Sequence, residues 1–234
     1  IPSSLQDKFK FKQGQYLNLK FNFGEEEFRR SYSIIDAPSE NSQTLSILVK
    51  QMENGTISTF LNQNLKENDE VEVQQPMGNF CTNYHVSNHK NYVGIAAGSG
   101  ISPVLSNLKE ALLQEPNAKV LLFFGNKDSQ NILLKEELDA LKERFPERFK
   151  VTHVLSREPQ EDALFEGRIT TEKLGQLLDK NFEIKPEDST FFICGPTEML
   201  KSTSDFLKQV RKVPALLVLY EFFFASDDED NPEI

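Results

Sequence analysis

The chain has 234 residues, 38% hydrophobic, 26% charged and 10% aromatic, which is ordinary globular composition and enough length for one large domain or two small ones. With 26 basic against 36 acidic residues and a net charge of −10, a general electrostatic grip on nucleic acid is excluded. No apolar run reaches the roughly 18 to 20 residues of a membrane span, and two cysteines, Cys81 and Cys194, cannot build a disulfide framework, a zinc cluster or a four-thiolate iron–sulfur centre. A soluble protein of the reducing cytoplasm is expected, with no metal site of its own.

The first residue is Ile1 rather than Met and the sequence runs almost at once into a strand-like pattern, so further residues upstream are expected. Short apolar runs then follow at Gln15 to Phe21, Phe28 to Ile35, Thr44 to Lys50 and Glu70 to Gln75, separated by turn material such as Asp36-Ala37-Pro38-Ser39. They predict an antiparallel β half. Thr56 to Leu65 is its one helical stretch, with Ile57, Phe60, Leu61 and Leu65 on one face, so one helix caps a sheet or barrel.

Tyr84 to Lys90, polar and with two histidines, reads as a link. Beyond it, apolar strands at Tyr92 to Ala96, Val120 to Phe124, Val151 to Leu155 and Phe191 to Cys194 alternate with amphipathic segments. These lie around Val104 to Leu113, Ile132 to Phe145, Glu172 to Leu178 and Glu198 to Val210. The alternation predicts a doubly wound parallel sheet, whose ligands sit at the carboxyl ends of the strands. The fold class is therefore β plus α/β, divided at about residue 88 into units 1–88 and 89–225. Residues 226–234, with five acids and no base, read as a solvated linker or tail.

Gly98-Ser99-Gly100-Ile101-Ser102-Pro103 stands directly after an apolar strand and before a helix. Glycine there allows close backbone approach, and a helix start offers N–H groups and positive dipole to a phosphate. A tight strand-to-helix turn needs glycine with or without a ligand, and the third glycine of a Rossmann fingerprint is replaced by proline. Arg30-Ser31-Tyr32-Ser33 sets an arginine, an aromatic ring and a hydroxyl at alternating positions, expected on one face. That set suits a phosphorylated aromatic cofactor, or equally an exposed strand with Tyr32 packed on the stem of Arg30. Gly55-Thr56-Ile57-Ser58 opens the isolated helix as a phosphate cradle or a plain N-cap. Cys194-Gly195-Pro196 ends a strand, with Cys194 either a buried small hydrophobe or a group lining a reaction centre. Glu221-Phe222-Phe223-Phe224 follows the final strand, as a core terminus or an interface patch.

Together with Pro76 to Phe80, Phe124-Gly125-Asn126, Ser156-Arg157-Glu158 and Gly167-Arg168-Ile169, these motifs resemble the ferredoxin-NADP reductase superfamily, in order and across nearly the whole chain. Val154 to Glu158 followed by Leu164 to Ile169 narrows the resemblance to the reductase components of phenylacetyl-CoA epoxidases, which carry a plant-type ferredoxin domain behind the reductase domains. The resemblance implies an FAD-binding antiparallel β-barrel and an NADP-binding α/β domain. Hydride would pass from the nicotinamide C4 to flavin N5, and single electrons would then leave for an acceptor. Arg30 would hold the flavin pyrophosphate with Ser31 beside it, Tyr32 would stack on the isoalloxazine, Ser33 would hydrogen-bond near N5, and Gly55, Thr56, Ile57 and Ser58 would cradle the same pyrophosphate. Gly98 to Pro103 would take the nucleotide pyrophosphate, and Ser156 and Arg157 the 2′-phosphate, favouring NADPH while leaving NADH open. Cys194, Gly195 and Pro196 would lie beside the nicotinamide, with Glu221 and Phe223 bordering both rings. Val49, Lys50, Asn126 and Lys127 complete the implied binding set, Lys127 standing where relatives often have arginine.

A [2Fe–2S] centre is implied only in a missing domain or a partner, an iron–sulfur ferredoxin domain or protein with a di-iron oxygenase behind it. The implied strands ahead of Lys8 to Phe21 are absent from this sequence, which leaves a sheet edge to be closed. Two other readings stand beside the reductase: a reductase module of a flavohaemoglobin or ring-hydroxylating system, and a non-enzymatic FAD-carrying electron-transfer subunit.

Overall fold

In the computed structural model, which describes residues 1–40, 43–86, 90–181 and 185–223, the chain forms one antiparallel and one parallel sheet. In the first half β1 (Tyr16–Phe23) pairs antiparallel with β2 (Glu26–Ser33) and with the short β3 (Glu72–Val73), in the order β2-β1-β3. Alternation in β1 turns Leu17, Leu19 and Phe21 inward, where they form a core with Ile34 and with Ile57 of α1 (Thr56–Gln63). Phe60 of α1 meets Phe21 and Phe23 edge-on, with centroids at 5.8 and 5.1 Å, and fixes the helix across this face.

In place of the expected strand at Thr44 to Lys50 there is the isolated bridge Ile34–Ile47, with hydrogen bonds from Ile35 N to Ser46 O and from Ser46 N to Asp36 Oδ2. The physical reason is that its apolar residues serve two cores. Leu45 and Ile47 pack on the β half, whereas Leu48 packs on the α/β half.

The second half is a five-stranded parallel sheet in the order β6-β5-β4-β7-β8. Its members are β4 (Asn91–Ala97), β5 (Lys119–Asn126), β6 (Phe149–Leu155), β7 (Ser189–Cys194) and β8 (Val218–Glu221). The helices are α2 (Ile101–Gln114), α3 (Lys135–Arg144), α4 (Thr171–Lys180) and α5 (Thr197–Asp205). Tyr92, Leu122, Phe124 and Phe192 pack with α2 and α3 on one face, and Val93, Ile95, Phe123 and Phe191 with α4 and α5 on the other. Strands buried on both faces are continuously apolar, as the sequence pattern predicts. Gly94 lets α2 lie close on β4, since a Cβ there would stand 2.7 Å from Val104 Cγ1 and 2.8 Å from Leu108 Cδ1. β4 is first in sequence and central in space, so the chain winds outward both ways from it, and the crevice at its carboxyl end is the natural ligand position.

Twelve of the 14 residues of α2 are buried, because its second face is covered by the β half. Tyr84, expected in a loose link, is pinned there instead. Its hydroxyl donates to Asn107 O at 2.9 Å, its ring meets Tyr92 at 5.1 Å, and the neighbouring His85 N donates to Glu115 Oε1. The expected boundary at residue 88, the 226–234 tail and Phe224 lie outside the described residues. No helix among the described residues is long and apolar enough to cross a membrane.

Candidate cofactor-binding site

Parallel pairing sets the carboxyl ends of β4, β7 and β8 side by side, with Ala96 opposite Cys194 and Cys194 opposite Glu221. After Ala97 the chain makes a tight turn through Gly98, whose φ of 55° lies in the region glycine favours, and enters α2 with Pro103 in its first turn. Ser102 Oγ donates to Ser99 O at 3.0 Å and tightens this turn. Gly100 lies directly on the Cys194–Gly195 peptide, since a Cβ there would come within 2.8 Å of Gly195 N. Gly195 in turn sits on Ala97, with a Cβ 3.2 Å from Ala97 N. The motifs 98–103 and 194–196, almost a hundred residues apart in sequence, therefore form one glycine-lined lip. Pro196 caps α5 beside it.

Cys194 is fully buried at this lip, as the first sequence alternative, a buried small residue, expects. Burial first, and the adjacent Glu221 second, push its thiol well above the ordinary range, which leaves a neutral thiol rather than a nucleophilic thiolate. Burial pushes the Glu221 carboxyl up to about 7, and its Oε2 is buried without a hydrogen-bond partner among the described residues. Phe223, just beyond β8, is exposed.

At the next strand ends, Asn126 O accepts from Ser156 N and Oγ, and Lys127 O accepts from Arg157 N at 2.7 Å. The Asn126 side chain is buried with Nδ2 unpartnered among the described residues. Ser156 and Arg157 are exposed, whereas Glu158 is occupied by Ser129 N and Oγ at 2.7 and 2.8 Å. Those two bonds hold its carboxyl below the usual range. No carboxylate pairs with Arg157 or Lys127 among the described residues. Val49 and Lys50 of the β half are half-buried. Burial, then the charge of Lys127, lowers the Lys50 ammonium.

Arg30 to Ser33 is arranged differently from expectation. In the β1–β2 register Arg30 and Tyr32 lie opposite Leu19 and Leu17, while Ser31 and Ser33 lie opposite Asn18 and Tyr16. The side-chain period of two therefore puts the hydroxyls and the Arg30–Tyr32 pair on opposite faces. Ser31 Oγ donates to Asn18 Oδ1 at 2.6 Å, and Ser33 is buried. Arg30 is half-buried, donates to Arg29 O, and pairs with no carboxylate among the described residues. Burial raises the Tyr32 phenol, and the charge of Arg30 opposes that shift.

At the start of α1, Ser58 Oγ accepts from Met52 N at 3.0 Å, and a Cβ on Gly55 would stand 2.5 Å from Ser58 Oγ. An open cavity of about 380 Å³ begins here, lined by Phe23, Asn54, Gly55, Thr56, Phe60 and Asn64 among others. Arg30 to Ser33 does not line it. Ile57 and Ile101 point into the two cores, so only their backbone is free for a ligand. Asn54, with φ of 60°, was not singled out from the sequence, although an Asn-Gly pair before a helix signals such a turn.

Residues 3–82 match an oxidoreductase FAD-binding domain and residues 95–205 an oxidoreductase NAD-binding domain. The chain belongs to the ferredoxin reductase family of FAD- and NAD-binding oxidoreductases. It is 34% identical to a subunit of the 1,2-phenylacetyl-CoA epoxidase of Escherichia coli, over 89% of this chain and 58% of that protein. It is also 34% identical to NADH-cytochrome b5 reductase 1 of Dictyostelium discoideum, over 84% and 66%. It thus spans about three fifths to two thirds of these relatives. A ferredoxin NADP+ reductase of Neisseria gonorrhoeae, solved with bound FAD and NADP, shares its fold with a TM-score of 0.72 at 24% identity, over 93% of this chain and 89% of that one.

The residues fit such cofactors. Among the described residues no carboxylate pairs with the Arg30 cation, an open cavity begins at Asn54 to Thr56, and Glu221 Oε2, unpartnered there, borders the lip of a parallel sheet.

Proposed function

We propose that this chain is the reductase portion of an electron-transfer system, using FAD to oxidise NADPH and deliver single electrons to an iron–sulfur acceptor that serves an oxygenase of the phenylacetyl-CoA epoxidase kind, in the cytoplasm. Units 1–88 and 89–225 would hold FAD and the nucleotide respectively. One observation supports the reading: the turns Gly98 to Pro103 and Cys194 to Pro196 meet in one lip, bordered by Glu221, at the carboxyl end of the parallel sheet, where sheets of this kind take their ligands.

FAD supplies, when bound, the conversion of a two-electron donor into single-electron steps. The protein's part is binding and alignment. Arg30 neutralises pyrophosphate and Tyr32 offers its ring, while Gly55 to Ser58 present helix-start amides. Gly98 to Pro103 present the corresponding amides to the nucleotide pyrophosphate. Cys194 and Glu221, both neutral below about pH 7, form an uncharged wall against which a cationic oxidised nicotinamide is held less tightly than it would be by a carboxylate. Ser156 and Arg157, exposed and with no carboxylate paired to Arg157 among the described residues, suit the 2′-phosphate that distinguishes NADPH.

An anaerobic visible absorbance titration of the FAD-reconstituted chain tests this, with NADPH and NADH added separately. Bleaching of the flavin band is expected, faster with NADPH. Bound flavin that neither nucleotide bleaches would overturn the reading in favour of a non-enzymatic subunit. The name of the Dictyostelium relative favours NADH as a second reading of the donor, and faster bleaching by NADH would adopt it.

A further inference from the structure

A helix buried on both faces is ordinarily apolar on both, but α2 is not. Ser106, Asn107, Lys109 and Glu110 are all buried, and each reaches toward the β half. Ser106, Lys109 and Glu110 share a stripe by their three- and four-residue spacing. Ser106 Oγ accepts from Gly14 N and donates to Asp36 O at 2.6 Å, and Asn107 Nδ2 donates to Phe80 O at 2.8 Å. Glu110 accepts from Ser39 N and Oγ at 3.0 and 2.7 Å.

Lys109 is the hub of this seam. Its side chain is 5% exposed, and its ammonium meets Glu40 Oε2 at 3.0 Å, Glu137 Oε1 at 2.8 Å and Ile35 O at 3.3 Å. An ammonium has three donors, and here each has an acceptor, two from the segment 35–40 and one from α3. Ile35 and Glu40 belong to the segment that directly follows Arg30 to Ser33 in β2, and Glu137 belongs to α3. Lys109 itself stands two turns along the helix whose start is the Gly98 to Pro103 turn. Burial opposes the charge and the two carboxylates favour it more strongly, so the lysine remains an ammonium. The segment leaving the flavin-side strand is therefore bolted, through one cation, to the helix that begins at the nucleotide-side lip.

We propose that Lys109 is a positioning residue, which fixes the flavin-side strand relative to the nucleotide-side turn and so sets the alignment on which transfer between the two cofactors depends; this rests on the reductase reading. It touches neither site. Displacement of aligned groups by about 1 Å can cost on the order of a hundredfold in rate without loss of binding, which gives the role a distinct kinetic signature.

The test uses the FAD-reconstituted chain and its Lys109→Met variant, which keeps length and removes charge. Because that change leaves Glu40 and Glu137 facing each other without a cation, a triple variant with Glu40→Gln and Glu137→Gln is made alongside and replaces the single variant where the latter does not fold. Affinities for FAD and NADPH are expected to stay within about twofold, while the limiting rate of flavin bleaching at saturating NADPH falls about tenfold or more at an unchanged half-saturating concentration. Hydrogen exchange of the Ala37 and Ser39 amides, which Glu40 and Glu110 now hold, should quicken while β4 is unchanged. A wild-type limiting rate in a folded variant overturns the positioning role alone, and unchanged exchange at residues 35–40 overturns the anchoring. Failure of the unaltered chain to bleach with either nucleotide instead overturns the reductase reading, and the role in transfer with it.

Discussion

Strands β4 and β7 bury both faces, whereas β1 and β2 bury one and leave the other to groups such as the Lys20–Glu27 pair. The α/β half consequently has two cores, with Tyr92, Ile95, Phe123, Phe124, Phe191 and Phe192 all essentially inaccessible. The β half has one, built on Leu17, Leu19, Phe21, Ile34 and Ile57 and rimmed by half-buried aromatics. The difference assigns the sources of stability. Apolar burial sustains the nucleotide half, while the flavin half depends also on its polar attachment to α2.

The strongest way to break that comparison is at Phe192, edge-on to Phe80 at 5.7 Å and stacked near Tyr92. Phe192→Ala should cost about 3–5 kcal/mol of unfolding free energy, against about 2–3 kcal/mol for Leu19→Ala in the β half. Urea unfolding measures both, and equal losses would show the two cores to be equivalent. Glu221 comes next. Its native carboxyl titrates near 7 and its unfolded one near 4.5, so between those values the native state holds the extra proton. Stability is thus fullest below pH 4.5 and falls as pH rises to 7, by about 3 kcal/mol at most from this group. Glu221→Gln should flatten that slope in a pH series of urea midpoints.

Two smaller effects concern ligands and separate the halves functionally. Arg30→Ala should weaken FAD binding about tenfold to a hundredfold, the range of a charge-assisted contact, with the urea midpoint hardly moved. Fluorescence titration of FAD measures this, and an unchanged affinity would reduce Arg30 to a surface residue. Arg157→Ala should raise KM for NADPH about tenfold and leave that for NADH nearly unchanged. Equal changes for both nucleotides would remove it from 2′-phosphate recognition.

Much of the α/β half was legible because continuous apolar strands and period-3.6 helices report burial directly, and its glycine turns fell at strand ends as expected. The β half was less legible. Thr44 to Lys50 has strand composition, yet Leu45 and Leu48 answer to different cores, a division no local pattern reveals. The face shared by Arg30 and Tyr32 followed from strict alternation, which the expectation of a hydroxyl beside them overlooked. Ser106, Lys109 and Glu110 look like the solvent face of an amphipathic helix, because sequence shows which face is polar and not what covers it. Lys50 and Lys127 are 77 positions apart, and only the fold brings the charge of one to bear on the other.

Gly100 resting on the Cys194–Gly195 peptide, and Gly195 on Ala97, has a mechanical meaning. Backbone against backbone leaves no space into which either turn could move toward the other, so a side chain larger than hydrogen at either position would push both turns out of place together.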